Sequence, residues 1–215
     1  MSTTGSVVDG THRALARWRT LPEIRVINDY HDDQGYIEAQ AAQIQRHIGG
    51  LSERSHVLFS YHGIPAAYAA KGDPYQRQTE RTSQLLVSRL GLKDSEWSHC
   101  YQSRFGRVEW LKPYTIDKIK QLAEAGVRKL VVASPSFAVD CLETLEEIAI
   151  EYRDRFLEWG GESLTLVPGL NDEDAHVAEG FCATRLGGNG WGAVFGASDA
   201  QLETGTILER AWDPP

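Results

Sequence analysis

The sequence predicts an α/β fold, an open and mainly parallel sheet with helices on both faces. Two observations carry this. Short β-like runs alternate with stretches of helical period, which is the pattern of successive βαβ units. Gly91 and Gly126 each follow a helical stretch, where a residue just past a helix end often turns left-handed.

Taken in order, a helix is expected over Val7–Trp18 and a strand over Glu23–Asn28. A helix over Gly35–Ile48 leads to the apolar strand His56–Tyr61, and the next helix runs over Tyr75–Leu90. Strand Ser98–Ser103, helix Thr115–Ala125 and strand Lys129–Ser134 follow. Helix Leu142–Trp159 and strand Ser163–Val167 complete the pattern. Ligands of such sheets bind outside the carboxyl ends of the strands. This directs attention to Asn28–Gln34, Tyr61–Asp73, Arg104–Pro113, Pro135–Asp140 and Pro168–Asp172. Residues 1–177 read as one domain. Residues 178–215, with the Gly-rich run Gly187–Gly192 and the ending Trp212-Asp-Pro-Pro215, read as an atypical tail without clear period.

The net charge of −8 argues against a nucleic-acid partner. Cys100, Cys141 and Cys182 are widely spaced and odd in number, so neither a disulfide framework nor a CxxC site is suggested. The opening Met-Ser-Thr-Thr-Gly-Ser lacks the basic and apolar regions of a signal peptide, and no apolar run approaches a membrane span. A cytoplasmic location is expected. GxGxxG, Walker A, GxSxG and HExxH motifs are all missing, which leaves nucleotide-driven and triad chemistry without support.

The residue pattern richest in chemistry is Asp140–Glu151. Glu143, Glu147 and Glu151 stand at i, i+4 and i+8, within a stripe of roughly 80° on an α-helix. Like charges at that spacing repel. A path or site for a hard or borderline cation is one reason to keep them together. A solvated face opposite the apolar stripe of Leu142, Leu145, Ile148, Tyr152 and Phe156 is the plainer one, and Asp140 suits the N-cap. His62 follows the strand His56–Tyr61 and precedes Gly63-Ile-Pro65. There it is either a proton acceptor or metal ligand, or a locally bonded loop histidine. His31, among Asp29, Asp32 and Asp33, is either a second metal-attracting patch or a polar turn whose aspartates cap the next helix. Gln102-Ser-Arg104, Phe105-Gly106 and Trp110–Tyr114 supply aromatics and a cation to one connection. That connection suits a flat aromatic ligand with an acidic group, or ordinary packing around Trp110.

Together, Phe59-Ser-Tyr-His-Gly-Ile-Pro65, Lys71-Gly-Asp-Pro-Tyr75, Tyr101-Gln-Ser-Arg104, Glu109–Thr115 and Asp140–Ile148 resemble, in order, the motifs of the ferrochelatase family. Leu21–Arg25 and Tyr30-His31 place the resemblance with its bacterial branch. The resemblance covers about Ser2 to Asp172 and implies insertion of ferrous iron into protoporphyrin IX, giving protohaem. By it, His62 is the active-site histidine and Glu143 the glutamate facing it across the porphyrin, both touching the metal. Glu147 and Glu151 are further acidic metal positions leading towards the surface. Tyr30 and Trp110 line the porphyrin pocket. Ferrous iron is expected as substrate. No iron–sulphur cluster is expected, because the three cysteines do not match the four ligands of cluster-bearing members.

The resemblance is to the carboxyl-terminal of two similar α/β halves. A missing amino-terminal half is therefore expected, and with it the membrane-facing surface through which a peripheral membrane contact would be made. The tail after about Val177 departs from the family pattern. Two other expectations stand beside an active chelatase. One is a non-catalytic porphyrin- or haem-binding fragment. The other is a chelatase for another metal and tetrapyrrole, against which Tyr101–Arg104 and Trp110–Pro113 speak.

Overall fold

Four strands form one parallel sheet: β1 (Ser55–His62), β2 (Trp97–Gln102), β3 (Lys129–Ala133) and β4 (Ser163–Leu166), in the order β2-β1-β3-β4. The structure, a computed structural model, describes residues 2–21, 24, 26, 28–48, 55–173 and 176. One unit ends at Gly169. A second begins at Leu170, and its described residues are 170–173 and 176. Within the second unit the His176 ring is hydrogen-bonded to the Asn171 carbonyl at 2.7 Å. The tail expected over 178–215 lies outside the described residues.

The helices are α1 (Ser2–Leu15), α2 (Gln34–Gln45), α3 (Ala66–Ala70), α4 (Tyr75–Leu90), α5 (Thr115–Glu124), α6 (Leu142–Leu145) and α7 (Arg153–Glu158). Among the described residues none is long and apolar enough to cross a membrane. Two sequence expectations change. Of the expected strand Glu23–Asn28, the described residues Ile24, Val26 and Asn28 form no strand, and Glu23, Arg25 and Ile27 lie outside the described residues. Ile24 and Val26 are exposed, so this alternating apolar run has no sheet face to bury against. The single helix expected over Leu142–Trp159 is instead α6, a π-helical segment Glu147–Tyr152, and α7.

Side-chain alternation sorts the strands into two faces. Leu58, Cys100, Leu130, Val132 and Leu164 meet Ile119, Leu122 and Ala123 of α5, Ile148 and Tyr152 of the π segment, and Phe156 of α7 in one core. The other face is partly polar. Tyr61 OH and the His99 ring share Ser83 Oγ of α4, each at 2.9 Å, and Tyr101 OH meets Thr79 Oγ1 at 3.1 Å. His99 is packed against Tyr61, ring centroids 4.8 Å apart, and its Nε2 is buried with no hydrogen-bond partner among the described residues. The helix ends follow the expected chemistry. Gly126 has φ +94°, with Gly126 N–H donating to Ala123 O and Val127 N–H to Leu122 O, the paired bonds of a Schellman end.

Two predictions follow from this packing. Ile148 is fully buried at the centre of the core, so Ile148→Ala should lower unfolding free energy by about 2–5 kcal/mol in urea denaturation. A loss under about 1 kcal/mol would mean that the π segment is not packed there. Burial depresses His99 to about 4, and burial with the Lys118 charge depresses His56 to about 4. Unfolding returns each to about 6.5, so between those values the unfolded chain binds more protons than the folded one. Their contribution is complete above about pH 6.5 and is lost as pH falls through about 4, at up to about 1.4 kcal/mol per pH unit for each ring. Denaturation at pH 7 and pH 5 should find His99→Gln losing less stability on acidification than the parent.

Candidate active site

In the strand order β2-β1-β3-β4 the chain runs from β1 to one side and then returns to the other. The order therefore reverses between β1 and β3, which creates a crevice at their carboxyl ends. His62 is the last residue of β1, and Pro135, Ser136 and Phe137 follow β3. His62 N–H faces Ser136 Oγ at 3.4 Å, and Tyr75 OH donates to His62 O at 2.9 Å. The imidazole lies beside Trp110 and Phe137, centroids 6.1 and 6.2 Å away.

His62 Nδ1 is 2.6 Å from the Gly63 carbonyl oxygen. A carbonyl can only accept, so Nδ1 carries the proton. The neutral ring therefore offers the Nε2 lone pair as its only acceptor. The turn that makes this bond is tight. Gly63 N–H donates to Gln102 O at 2.9 Å, and a Cβ on Gly63 would lie 3.0 Å from the Trp110 ring and 3.1 Å from the Gln102 carbonyl. A side chain there would have to push Trp110 or the Gln102 carbonyl back by a few tenths of an ångström.

Glu143 lies in the first turn of α6. Cys141, rather than the expected Asp140, is the N-cap of α6. Asp140 instead accepts from Gly169 N–H at 3.1 Å and Thr144 Oγ1 at 3.0 Å, tying the start of α6 to the loop after β4. A hydrogen bond from the Cys141 thiol holds the Glu143 carboxyl below its ordinary range, helped by its own backbone N–H and, less, by the charge of His62. The two groups singled out in the sequence are thus within electrostatic reach of each other.

The acidic ladder does not continue as a stripe. Its expected alignment assumed α-helical turns, but the backbone from Glu147 is π-helical, with Glu151 N–H donating to Glu146 O at 3.0 Å. Within this segment Tyr152 OH donates to Glu147 Oε1. Glu147 turns inwards. It also accepts from Ser103 N–H at 2.9 Å, Ser103 Oγ at 2.6 Å and Gln102 Nε2 at 3.3 Å. Glu151 remains exposed.

Of the aromatics expected at the pocket, Trp110 is beside His62, with its indole N–H held by Phe105 O at 2.8 Å. Tyr30 is 37 % exposed and meets Tyr36 edge-on at 5.2 Å, and Tyr36 OH donates to Pro135 O in the β3 loop. Arg104 lies over the Tyr114 ring, 4.8 Å from its centroid. Asp29, His31 and Asp32 bring three donor atoms within 4.8 Å, but His31 Nδ1 is already 2.8 Å from Asp29 and Asp33 caps α2 through Tyr36 N–H. Those are the contacts of a polar turn.

Sequence reasoning gave no role to Gln102, Ser103, Phe137 or Cys141. Gln102 and Ser103 lay in a quoted motif, but a buried amide that bonds three segments leaves no periodic signal.

A family model for ferrochelatase matches residues 1–179. The chain is 49 % identical over 176 residues to a ferrochelatase of Nitrosococcus oceani, covering 82 % of this chain and 48 % of that protein. Against ferrochelatases of Aeromonas hydrophila and Brucella anthropi it is 47 % identical in each case. Those matches cover 82 % and 80 % of this chain and 55 % and 50 % of the relatives. The chain spans about half the length of the curated relatives it matches. With His62 at the carboxyl end of β1 at the sheet's switch point, and a family match over most of its length, the chain belongs to the ferrochelatase family.

Proposed function

We propose that the chain inserts ferrous iron into protoporphyrin IX, as a lyase of cytoplasmic haem biosynthesis, with His62 and Glu143 as its catalytic pair. The observation that carries this is the His62 Nδ1 bond to Gly63 O, which commits Nε2 to accepting a proton or a metal. Metallation removes two pyrrole N–H protons and strips the entering cation of water. Nε2 of His62 takes a pyrrole proton or briefly ligates the iron. The Glu143 carboxylate, kept ionised by the Cys141 thiol and its own N–H, takes the other proton or hands over the metal. Trp110 on the His62 side and Tyr30 beside Tyr36 offer aromatic surface to the macrocycle. A pocket that holds the ring bent lowers the barrier by fitting the transition state better than the flat substrate.

The acids beyond Glu143 divide the remaining work. Glu151, exposed, is proposed as an outer metal position. Glu147, with its donors from Ser103, Gln102 and Tyr152, is a held carboxylate that a passing cation would have to win from those bonds. Contact with a membrane surface, where a hydrophobic porphyrin would be exchanged, belongs to the same reading.

A second reading rests on length. Because the chain spans about half of its relatives, it could bind porphyrin or haem without metallating it. Anaerobic assays following the porphyrin spectrum with Fe²⁺, and with Zn²⁺ in its place, separate the two. A Soret shift on mixing, with no metalloporphyrin over hours, selects binding alone.

If the chain metallates, His62→Ala and Glu143→Gln should each lower kcat at least about 100-fold, the usual scale for losing a proton-transferring group. Wild-type rates in both would remove them from the chemistry. Gly63→Ala should also slow metallation, about 10-fold or more, because the new methyl group displaces Trp110 or the Gln102 carbonyl. An unchanged rate would show that the turn tolerates a side chain.

A further inference from the structure

We propose that Gln102 is a positioning residue that fixes Glu143 opposite His62, through an amide donating on one side and accepting on the other. The proposal rests on the metallation reading for its catalytic consequence, but its geometric part stands separately. Gln102 is the last residue of β2 and is 2 % exposed. Its Oε1 accepts from Ser60 Oγ of β1 at 2.7 Å and from Ser134 Oγ just past β3 at 3.4 Å. Its Nε2 donates to the Glu143 carbonyl at 2.6 Å and to Glu147 Oε2 at 3.3 Å. Its own carbonyl accepts from Gly63 N–H, next to His62.

The orientation of the amide follows from its partners. A backbone carbonyl and a carboxylate oxygen only accept, so the NH₂ group must face Glu143 and Glu147. The oxygen is then left for the two hydroxyls, which can donate. One side chain thus connects β1, β2 and the loop after β3 to the first turn of the segment that carries Glu143. The main chain of the same residue holds the turn that orients His62. Neither end reaches outwards, so Gln102 acts through the pair and not on porphyrin or iron. The angular tolerance for a reacting group is small, and a displacement of about 1 Å costs on the order of 100-fold in rate.

Two substitutions remove the donor in different ways. Gln102→Glu keeps the shape and adds charge, whereas Gln102→Met keeps the length and adds none. Both should lower kcat about 10- to 100-fold, with KM for porphyrin within about threefold of the parent. In both, backbone amide exchange across 142–152 should quicken about 10-fold or more, while β1 and β3 remain protected. A role in packing alone would spare Gln102→Glu, and a purely electrostatic disturbance would spare Gln102→Met. Either result overturns the proposal. Unchanged exchange across 142–152 also overturns it, whether or not the parent metallates. Quickened exchange with unchanged kcat in an active parent overturns it too. A parent that metallates nothing defeats the metallation reading, and the exchange measurement alone then decides whether Gln102 anchors Glu143. Should both variants fail to fold, Ser60→Ala takes their place. It frees the amide to turn without removing the donor, and it should produce the same exchange signature with a smaller kcat loss; unchanged exchange there overturns the proposal.

Discussion

A buried carboxamide must have its partners on both sides, because each unmet donor or acceptor costs about 1–3 kcal/mol once water is excluded. At the carboxyl end of this sheet that constraint falls on Gln102. Around it Ser60, Ser134 and Thr115 form a small polar layer, with the Thr115 hydroxyl 2.8 Å from Ser60 Oγ. Below this layer the core is apolar, with Leu58, Val132, Ile119 and Ile148 fully buried. Above it are His62, Glu143 and the crevice. The layer is where a sheet held by hydrophobic burial becomes one held by directed bonds. Apolar packing carries no bond direction, but a satisfied polar network has one arrangement. The backbone positions of His62 and Glu143 therefore take their geometry from directed bonds, while the stability beneath comes from area.

The fold was legible because the strands are buried on both faces. Val57, Leu58 and Phe59 leave little doubt of a strand, and the helices between strands are amphipathic or punctuated by glycine. His62 was legible for a related reason: an imidazole directly after such a run must stand at the sheet's carboxyl end. Glu23–Asn28 misled because alternation of apolar and polar residues reports only what a strand would need. Whether a face exists to bury Ile24 and Val26 is decided elsewhere, and both are exposed. The π segment was hidden for another reason. Periodicity analysis assumes about 3.6 residues per turn, and only the backbone bonds, such as Glu151 N–H to Glu146 O, reveal the wider turn.

That wider turn changes the energetics of the acids. On a regular helix Glu143, Glu147 and Glu151 would be stacked and would repel, each weakening the ionised form of the next. In the π geometry Glu147 faces Ser103, Gln102 and Tyr152, which supply donors where the neighbouring acids would have supplied charge. Burial, ahead of the bond to Glu147, pushes the Tyr152 hydroxyl far up, so it stays protonated and remains a donor. Glu143 is then electrostatically closer in kind to His62 than to the other glutamates. The Cys141 thiol and its own backbone N–H hold its pKa down, and a protonated His62 adds a smaller effect in the same direction.

Half-length coverage of the relatives raises the question of which properties belong to this chain alone. The state of His62 does: its proton is assigned by the carbonyl of the adjacent residue, and its turn is held by Gln102, so no second surface is needed to set it. The Glu143 carboxyl is held by Cys141, its own N–H and His62, all within the same unit. Holding a porphyrin is different in kind. The macrocycle has two faces, and aromatic area is offered by Trp110, Phe137 and Tyr30 from one unit only. Binding energy scales with the surface enclosed, whereas the readiness of a base depends on its nearest bonds. On the metallation proposed above, the states of His62 and Glu143 are set locally at the switch point, and affinity for a macrocycle is the property that would depend most on additional surface.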